Sequence, residues 1–354
     1  MKSISMGGRK RQYRKFLLWI LLLQGALVAT MVLLNYVIDP MWCFQHANRY
    51  NCRQDDIDDR QQKTNYLTFG GKKYDTLIIG NSRVKMMNQF VFGPHAYNYA
   101  VNGMTPREYD AYINYAKRIN DKDFDRIVIG LSFGMSNRHF KYPSGHEPAF
   151  YFDNANRFGY RWLLLMEGDL LRRSLSNLIH AFFDNATVYY DRNTVEHVNK
   201  SRVHIDKSMA AHLADAHETY RSNYAYLGEL SSVLETIRKN NPTSRITVFT
   251  TPVSEPLYDA MVAEGRYEDY KRLLRDAVHV FGEVYHFEYL NTVTRDYRRY
   301  FIDAHHYDPE TGVLMINRMK GSISALPADF GMVLNRSNID EKLRQIEEQH
   351  LALR

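Results

Sequence analysis

Tyr74-Asp-Thr-Leu-Ile-Ile-Gly80-Asn-Ser82-Arg83 is the stretch on which the fold turns. Thr76 to Gly80 is a short apolar run with the β-branched content of a strand buried on both faces. It breaks at Gly-Asn-Ser, where a strand gives way to a helix. The same alternation continues downstream. Ala96 to Ala100 reads as a weaker strand, and Pro106 to Ile119 as a helix with Thr105 as N-cap and Pro106 at the first helical position. Arg126 to Leu131 is a third strand. After a long interval come a helix over Tyr224 to Arg238, a strand over Arg245 to Thr250, a helix over Tyr267 to Val280, a fifth strand over Glu283 to Phe287 and a helix over Pro309 to Met319. Strands separated by helices pair in parallel through right-handed crossovers, with helices on both faces. The expected fold is therefore α/β, three layers around a mostly parallel five-stranded sheet.

N-terminal to this body, Phe16 to Ile38 forms an uncharged apolar stretch of 23 residues. At about 1.5 Å per residue it reaches roughly 35 Å, enough to span a bilayer with some tilt. A cleaved signal peptide is the competing reading, but its apolar core is only about 7–15 residues long. The chain holds 46 basic and 40 acidic residues, and Lys2, Arg9, Lys10, Arg11, Arg14 and Lys15 account for the whole difference. Basic residues gathered before a span place the N-terminus in the cytoplasm and the body outside. The remainder carries no excess basic charge, which removes the main support for nucleic-acid binding.

The resulting organisation is a basic tail (1–15), a transmembrane helix (16–38), a juxtamembrane connector (39–73), the α/β body (74–335) and a charged C-terminal helix (336–354). The connector is polar, with Asp55, Asp56, Asp58 and Asp59 clustered. Within the body, 133–219 breaks the alternation, carries a helical stretch near Tyr160 to Phe183 and is too long for an ordinary loop. It reads either as an insertion over the C-terminal edge of the sheet, where ligands of such sheets bind, or as a structural lobe. The only cysteines, Cys43 and Cys52, lie close together just beyond the span, and a short-loop disulfide is expected in an oxidising compartment. No CxxC and no HExxH occurs, so no metal or cofactor is expected.

Three widely separated segments carry chemistry. A serine hydroxyl is a weak nucleophile that needs a base, a group to orient that base, and donors aimed at the developing oxyanion. Ser82 stands at a strand-to-helix junction, where its N–H faces the sheet's C-terminal edge. Gly103 follows the next strand and permits close backbone approach to a carbonyl. Late in the chain, His306 is the candidate base and Asp303, three residues earlier, its orienting partner.

These residues resemble the blocks of the SGNH (GDSL-type) hydrolases. Leu77-Ile-Ile-Gly-Asn-Ser82 is similar to the strand followed by Gly-Asp-Ser in block one. Asn98-Tyr-Ala-Val-Asn-Gly103-Met-Thr105 matches the Asn-x-x-x-x-Gly-x-Thr of block two, and Asp303-Ala-His-His306-Tyr307 the Asp-x-x-His-Pro of block five. The resemblance covers roughly 74–132 and 245–320. It implies Ser82 as nucleophile, Ser82 and Gly103 as oxyanion donors, His306 as base and Asp303 as its partner. Block three departs: where the family has Gly-x-Asn-Asp, this chain has Leu131-Ser-Phe-Gly134-Met-Ser-Asn137, leaving Ser132 or Asn137 as substitutes for the missing Asn donor. One lost oxyanion donor costs roughly 2.7–4 kcal/mol of transition-state stabilisation.

With its anchor, the chain resembles in particular the membrane-tethered branch that serves O-acylation of bacterial cell-surface polymers. That resemblance implies a single-pass protein of the bacterial inner membrane with a periplasmic or extracytoplasmic catalytic domain. It further implies a Ser-linked acyl intermediate, a polysaccharide or cell-wall polymer as acceptor, and a multi-span membrane acyltransferase as donor, since acyl-CoA does not occur outside the cytoplasm. Arg83 is a candidate contact for an anionic substrate group, with structural pairing to a nearby acid as its alternative. Two further functions stand beside acyl transfer: a non-catalytic scaffold or glycan-binding subunit of an export complex, and a membrane-tethered lipase.

Overall fold

Eight strands form in chain order: β1 (Thr76–Ile79), β2 (Ala96–Asn98), β3 (Arg126–Leu131), β4 (Val188–Tyr190), β5 (Glu196–Val198), β6 (Arg245–Thr250), β7 (Glu283–His286) and β8 (Met332–Asn335). The computed structural model describes residues 6–140, 145–322 and 326–352. Lys2 of the basic tail, 141–144 of the insertion, 323–325 of the body and the last two residues of the chain lie outside the described residues.

The central sheet has the order β2-β1-β3-β6-β7-β8. Every pairing is parallel except β7 with β8, which is antiparallel. The sheet is thus mostly parallel, as the alternation predicts, but with six strands instead of five. The additional strand, β8, covers what would otherwise be an open edge at β7. Side chains alternate across the sheet: Leu77 and Ile79 of β1 and Ile127 and Ile129 of β3 pack on one side, Ile78 and Val128 on the other. Both faces are therefore buried, which explains why these strands read as continuous apolar runs. Because the strands are parallel, their C-terminal ends share one rim, and the order reverses between β1 and β3. That reversal opens a crevice at the rim.

Two close approaches fix the rim. A Cβ on Gly80 would lie 2.4 Å from Val84 Cγ2, so the helix Ser82–Lys85 is pressed onto the end of β1. A Cβ on Gly312 would lie 2.9 Å from the Met86 carbonyl oxygen, so the helix Pro309–Met319 abuts the same turn. The segment carrying His306 and the segment carrying Ser82 are thereby packed against each other.

The N-terminal helix runs from Met6 to Ile38, and within it Lys10–Ile38 is long and apolar enough to cross a membrane. The helix expected over Tyr224 to Arg238 begins only at Leu230. Upstream of it, Tyr226 bridges to Asn137 and the Ala225 carbonyl accepts the Arg138 N–H, so this backbone is committed to the insertion. The segment 39–73, expected as a polar connector, packs against the body over much of its length. Its helix Asp59–Gly70 is buried over Asp59 to Leu67, with Arg60 paired to Glu108 at 2.9 Å and Lys63 donating to the Asn98 and Ala100 carbonyls beyond β2. Cys43 and Cys52 are both free, the first buried and the second exposed, so no disulfide staples this segment. Instead the Asp39 carboxylate accepts the Cys43 and Phe44 N–H groups and pairs with Arg192.

Candidate functional site

Ser82 is the first residue of its helix, so its N–H has no intrahelical acceptor. Asn81 caps that helix by accepting the Arg83 N–H, and its amide donates to Ser132 Oγ at 2.7 Å. Across the crevice, Asp303 Oδ1 accepts the N–H groups of His305 and His306 at 2.7 and 2.8 Å, shaping the turn that presents the ring. His306 Nδ1 lies 2.9 Å from Asp303 Oδ2, and His306 Nε2 lies 2.8 Å from Ser82 Oγ. An ionised carboxylate accepts only, so Nδ1 carries the proton and Nε2 is left to receive one from the serine hydroxyl. Burial alone would raise the Asp303 carboxyl. The hydrogen bonds and charge of His306 and the two backbone donors outweigh burial and hold Asp303 well below the usual carboxylate range.

These residues open into a cavity of about 280 Å³. Its walls come from three parts of the chain: Asp56, Lys85 with Asn102, and the hairpin β4–β5 through Tyr189, Tyr190 and Glu196. The insertion thus reaches the cavity through its hairpin, while its helix Pro148–Asn156 packs on Asp59–Gly70. Gly103 has a φ of 59°, and among the described residues neither its N–H nor that of Ser82 donates a turn, loop or cap hydrogen bond. The neighbouring Asn102 N–H is engaged by Asp59 at 2.6 Å. A larger cavity of about 740 Å³ lies by Ser244 and Ile246, toward the start of β6. There the Ser244 hydroxyl donates to the Phe124 carbonyl, and among the described residues no hydrogen bond joins it to His279, which also lines the cavity.

Two candidates from the sequence lie elsewhere. Asn137 is not an oxyanion donor: its amide donates to the Asn223 carbonyl and accepts the His139 and Ala225 N–H groups, so its polar atoms are consumed in holding the insertion. For Arg83 the structure shows the pairing with an acid that was its alternative role. The Arg83 side chain is buried, 3.8 Å from Glu288 and 3.3 Å from His305 Nδ1. Burial, with Arg83 beside it, pushes the His305 ring down to about 3, so the neutral ring accepts the guanidinium N–H. The residue after Ser82 is thus tied to the residue before His306.

Sequence reasoning missed the charged wall. Lys85 Nζ is fully buried, 2.5 Å from Asp56, 3.2 Å from Asp59 and 3.9 Å from Glu196. Burial would lower the ammonium, but Glu196, Tyr190, Asp59 and Asp56 together hold it well above its ordinary value. The spacing of Lys85 three residues after Ser82, on the same helical face, was the available signal. Lys85→Met leaves the buried carboxylates of Asp59 and Glu196, and the more exposed Asp56, without this cation. It is expected to lower stability by about 3–5 kcal/mol, or roughly 10 °C in melting temperature, read by thermal unfolding in detergent.

Glu288, behind the site, gives a pH signature. Burial pushes its carboxyl up from 4.5 to about 7, because Arg83 and the Phe133 N–H only partly oppose it. The folded state therefore binds a proton that the unfolded chain releases near its ordinary value. This contribution is fully present below that value and is lost as pH rises through about 7, on the order of 3 kcal/mol across the interval. Glu288→Gln is expected to shrink the loss of stability between pH 5 and pH 8, measured by denaturant unfolding in detergent. An unchanged difference would mean that Glu288 does not titrate in this window.

No protein-family model matches the chain, and no curated protein matches its sequence.

Proposed function

We propose that the chain is a membrane-anchored serine acyltransferase or esterase acting on O-acyl groups of a cell-surface or exported polysaccharide. The observation that carries this reading is the hydrogen-bonded series Ser82 Oγ, His306 Nε2, His306 Nδ1, Asp303 Oδ2 at 2.8 and 2.9 Å. In the first half-reaction Ser82 Oγ attacks the acyl carbonyl as its proton passes to His306 Nε2. The N–H groups of Ser82 and Gly103 face the oxyanion, and His306 returns the proton to the departing alcohol or thiol. In the second, a sugar hydroxyl or water gives its proton to His306 and takes the acyl group from Ser82. The resemblance to the SGNH hydrolases supports the same roles.

A cavity of about 280 Å³ with Asp56, Lys85 and Glu196 in its walls suits a small acyl group and a hydroxylated acceptor better than a long lipid chain. The basic residues ahead of the apolar helix support an N-terminus in the cytoplasm and a catalytic body outside the bacterial inner membrane. A body there requires an activated acyl group delivered through the membrane, for which a multi-span acyltransferase is the fitting partner.

One observation favours a second reading, a scaffold or glycan-binding subunit. The block-three Asn has no amide in its place: Asn137 is engaged elsewhere, and Ser132, whose Oγ accepts from Asn81, offers only a hydroxyl. A serine-directed fluorophosphonate separates the two. Covalent label at Ser82 of the detergent-solubilised full chain is expected for the enzyme, and a folded protein that takes no label is the scaffold.

A further inference from the structure

The helix Gly168–Phe183 is inside out. Its buried face includes Ser174 and Asn177, which hydrogen-bond to Asn35 and Gln54, each at 2.8 Å. Its exposed face carries Leu175, Ile179, Phe182 and Phe183, spaced as one stripe. Upstream in sequence, Trp162 of the short helix Tyr160–Leu164 is 52% exposed, and Phe158, just before that helix, is 99% exposed. An apolar face of this size turned outward marks a surface meant for something other than water.

The neighbouring structure identifies what covers it. The stripe abuts the N-terminal helix: a cleft of about 350 Å³ is lined by Leu33, Leu34 and Val37 of that helix together with Leu178 and Phe182. Counted from Phe16, a hydrocarbon core about 30 Å thick takes roughly 20 residues and ends near Asn35. Phe182 and Leu33 share one cleft, so they share one depth, at the outer edge of that core. Asn35, whose amide donates to the Leu165 carbonyl, holds this depth rigidly. Trp162, an indole suited to the bilayer interface, stacks near Arg161, a cation suited to lipid phosphates.

We infer that Phe158 to Phe183 is a membrane-docking surface whose apolar side chains enter the lipid leaflet beside the span, seating the body on the bilayer at a fixed tilt. Insertion by about 5–10 Å is the depth of an interfacial helix. This rests on the reading of the N-terminal helix as a span.

The three tryptophans test the two readings separately. Trp19 lies in the span, Trp162 on the docking surface, and Trp42 is buried at 1% exposure as a constant background. The full chain is placed in phosphatidylcholine nanodiscs with plain or chain-brominated lipid. Trp19→Phe then reports Trp162, and Trp162→Phe reports Trp19. Trp162 emission is expected to be quenched by brominated lipid, and the quenching lost when Ile179→Asp and Phe182→Asp are added to Trp19→Phe. Quenched Trp19 with unquenched Trp162 overturns the docking surface and leaves the span. Unquenched Trp162 in a protein that cross-links to a second copy reassigns the stripe to self-association, and absence of quenching at both positions overturns both readings.

Discussion

Ser82→Ala is expected to take no fluorophosphonate label and to lower acyl transfer from a small activated ester by on the order of 10⁵-fold. The hydroxyl lies 2.8 Å from His306 Nε2, so its removal takes away the atom that the proposed reaction acylates and is expected to leave the fold intact. The helix start is capped by Asn81, not by the serine side chain, and Val84 packs on Gly80 whatever stands at position 82. Thermal unfolding of the variant should therefore match the native chain. In cells that make the polymer, replacing the native protein by this variant should remove acyl esters from the polysaccharide. Polymer with its full ester content, made by a strain holding only the variant, would sink the enzymatic assignment while leaving the geometry intact.

The second large effect belongs to Asp303→Asn. The new amide oxygen can still accept the His305 and His306 N–H groups, so the turn survives. Its NH₂, however, now faces His306 Nδ1 and requires that nitrogen to be unprotonated. The ring's proton moves to Nε2, which then donates toward Ser82 Oγ instead of accepting from it. A base in the wrong tautomer cannot take the proton, and a loss of about 10⁴-fold in turnover follows. Stability should fall too, because a carboxylate held well below its usual range is replaced by a neutral amide. A turnover loss under about tenfold would mean that the ring is oriented by something other than Asp303.

The parts of this molecule legible in its sequence are those governed by short-range rules. β1 and β3 announce themselves as largely apolar runs because both of their faces are buried. Thr105-Pro106 announces the helix it starts, with Glu108 completing the capping box. Ser82, Asp303 and His306 could be singled out because strand ends and a single turn set their local geometry, although their meeting is long-range. What failed was pairing across distance. The aspartates at 55–59 read only as part of a polar connector because Lys85, the cation for Asp56 and Asp59, is supplied by another part of the chain. The acid that pairs with Arg83 could not be named, because Glu288 and His305 arrive from the far end. β8 is four residues long, with only Leu334 fully buried, so it lacks the pattern of a core strand. The cysteines are near in sequence, but the turn at Asp39 buries one and leaves the other in solvent.

The distance along the chain between nucleophile and base, 224 residues, also has a bearing on biosynthesis. A polypeptide emerging N-terminus first exposes its serine long before the imidazole has been made. Until the last sixth of the chain is synthesised and folded, position 82 is an ordinary alcohol with no proton acceptor. On the proposed function, reactivity is withheld from the nascent chain until His306 has been made and packed beside Ser82, which spares the machinery of synthesis and export from a premature acyl-accepting group.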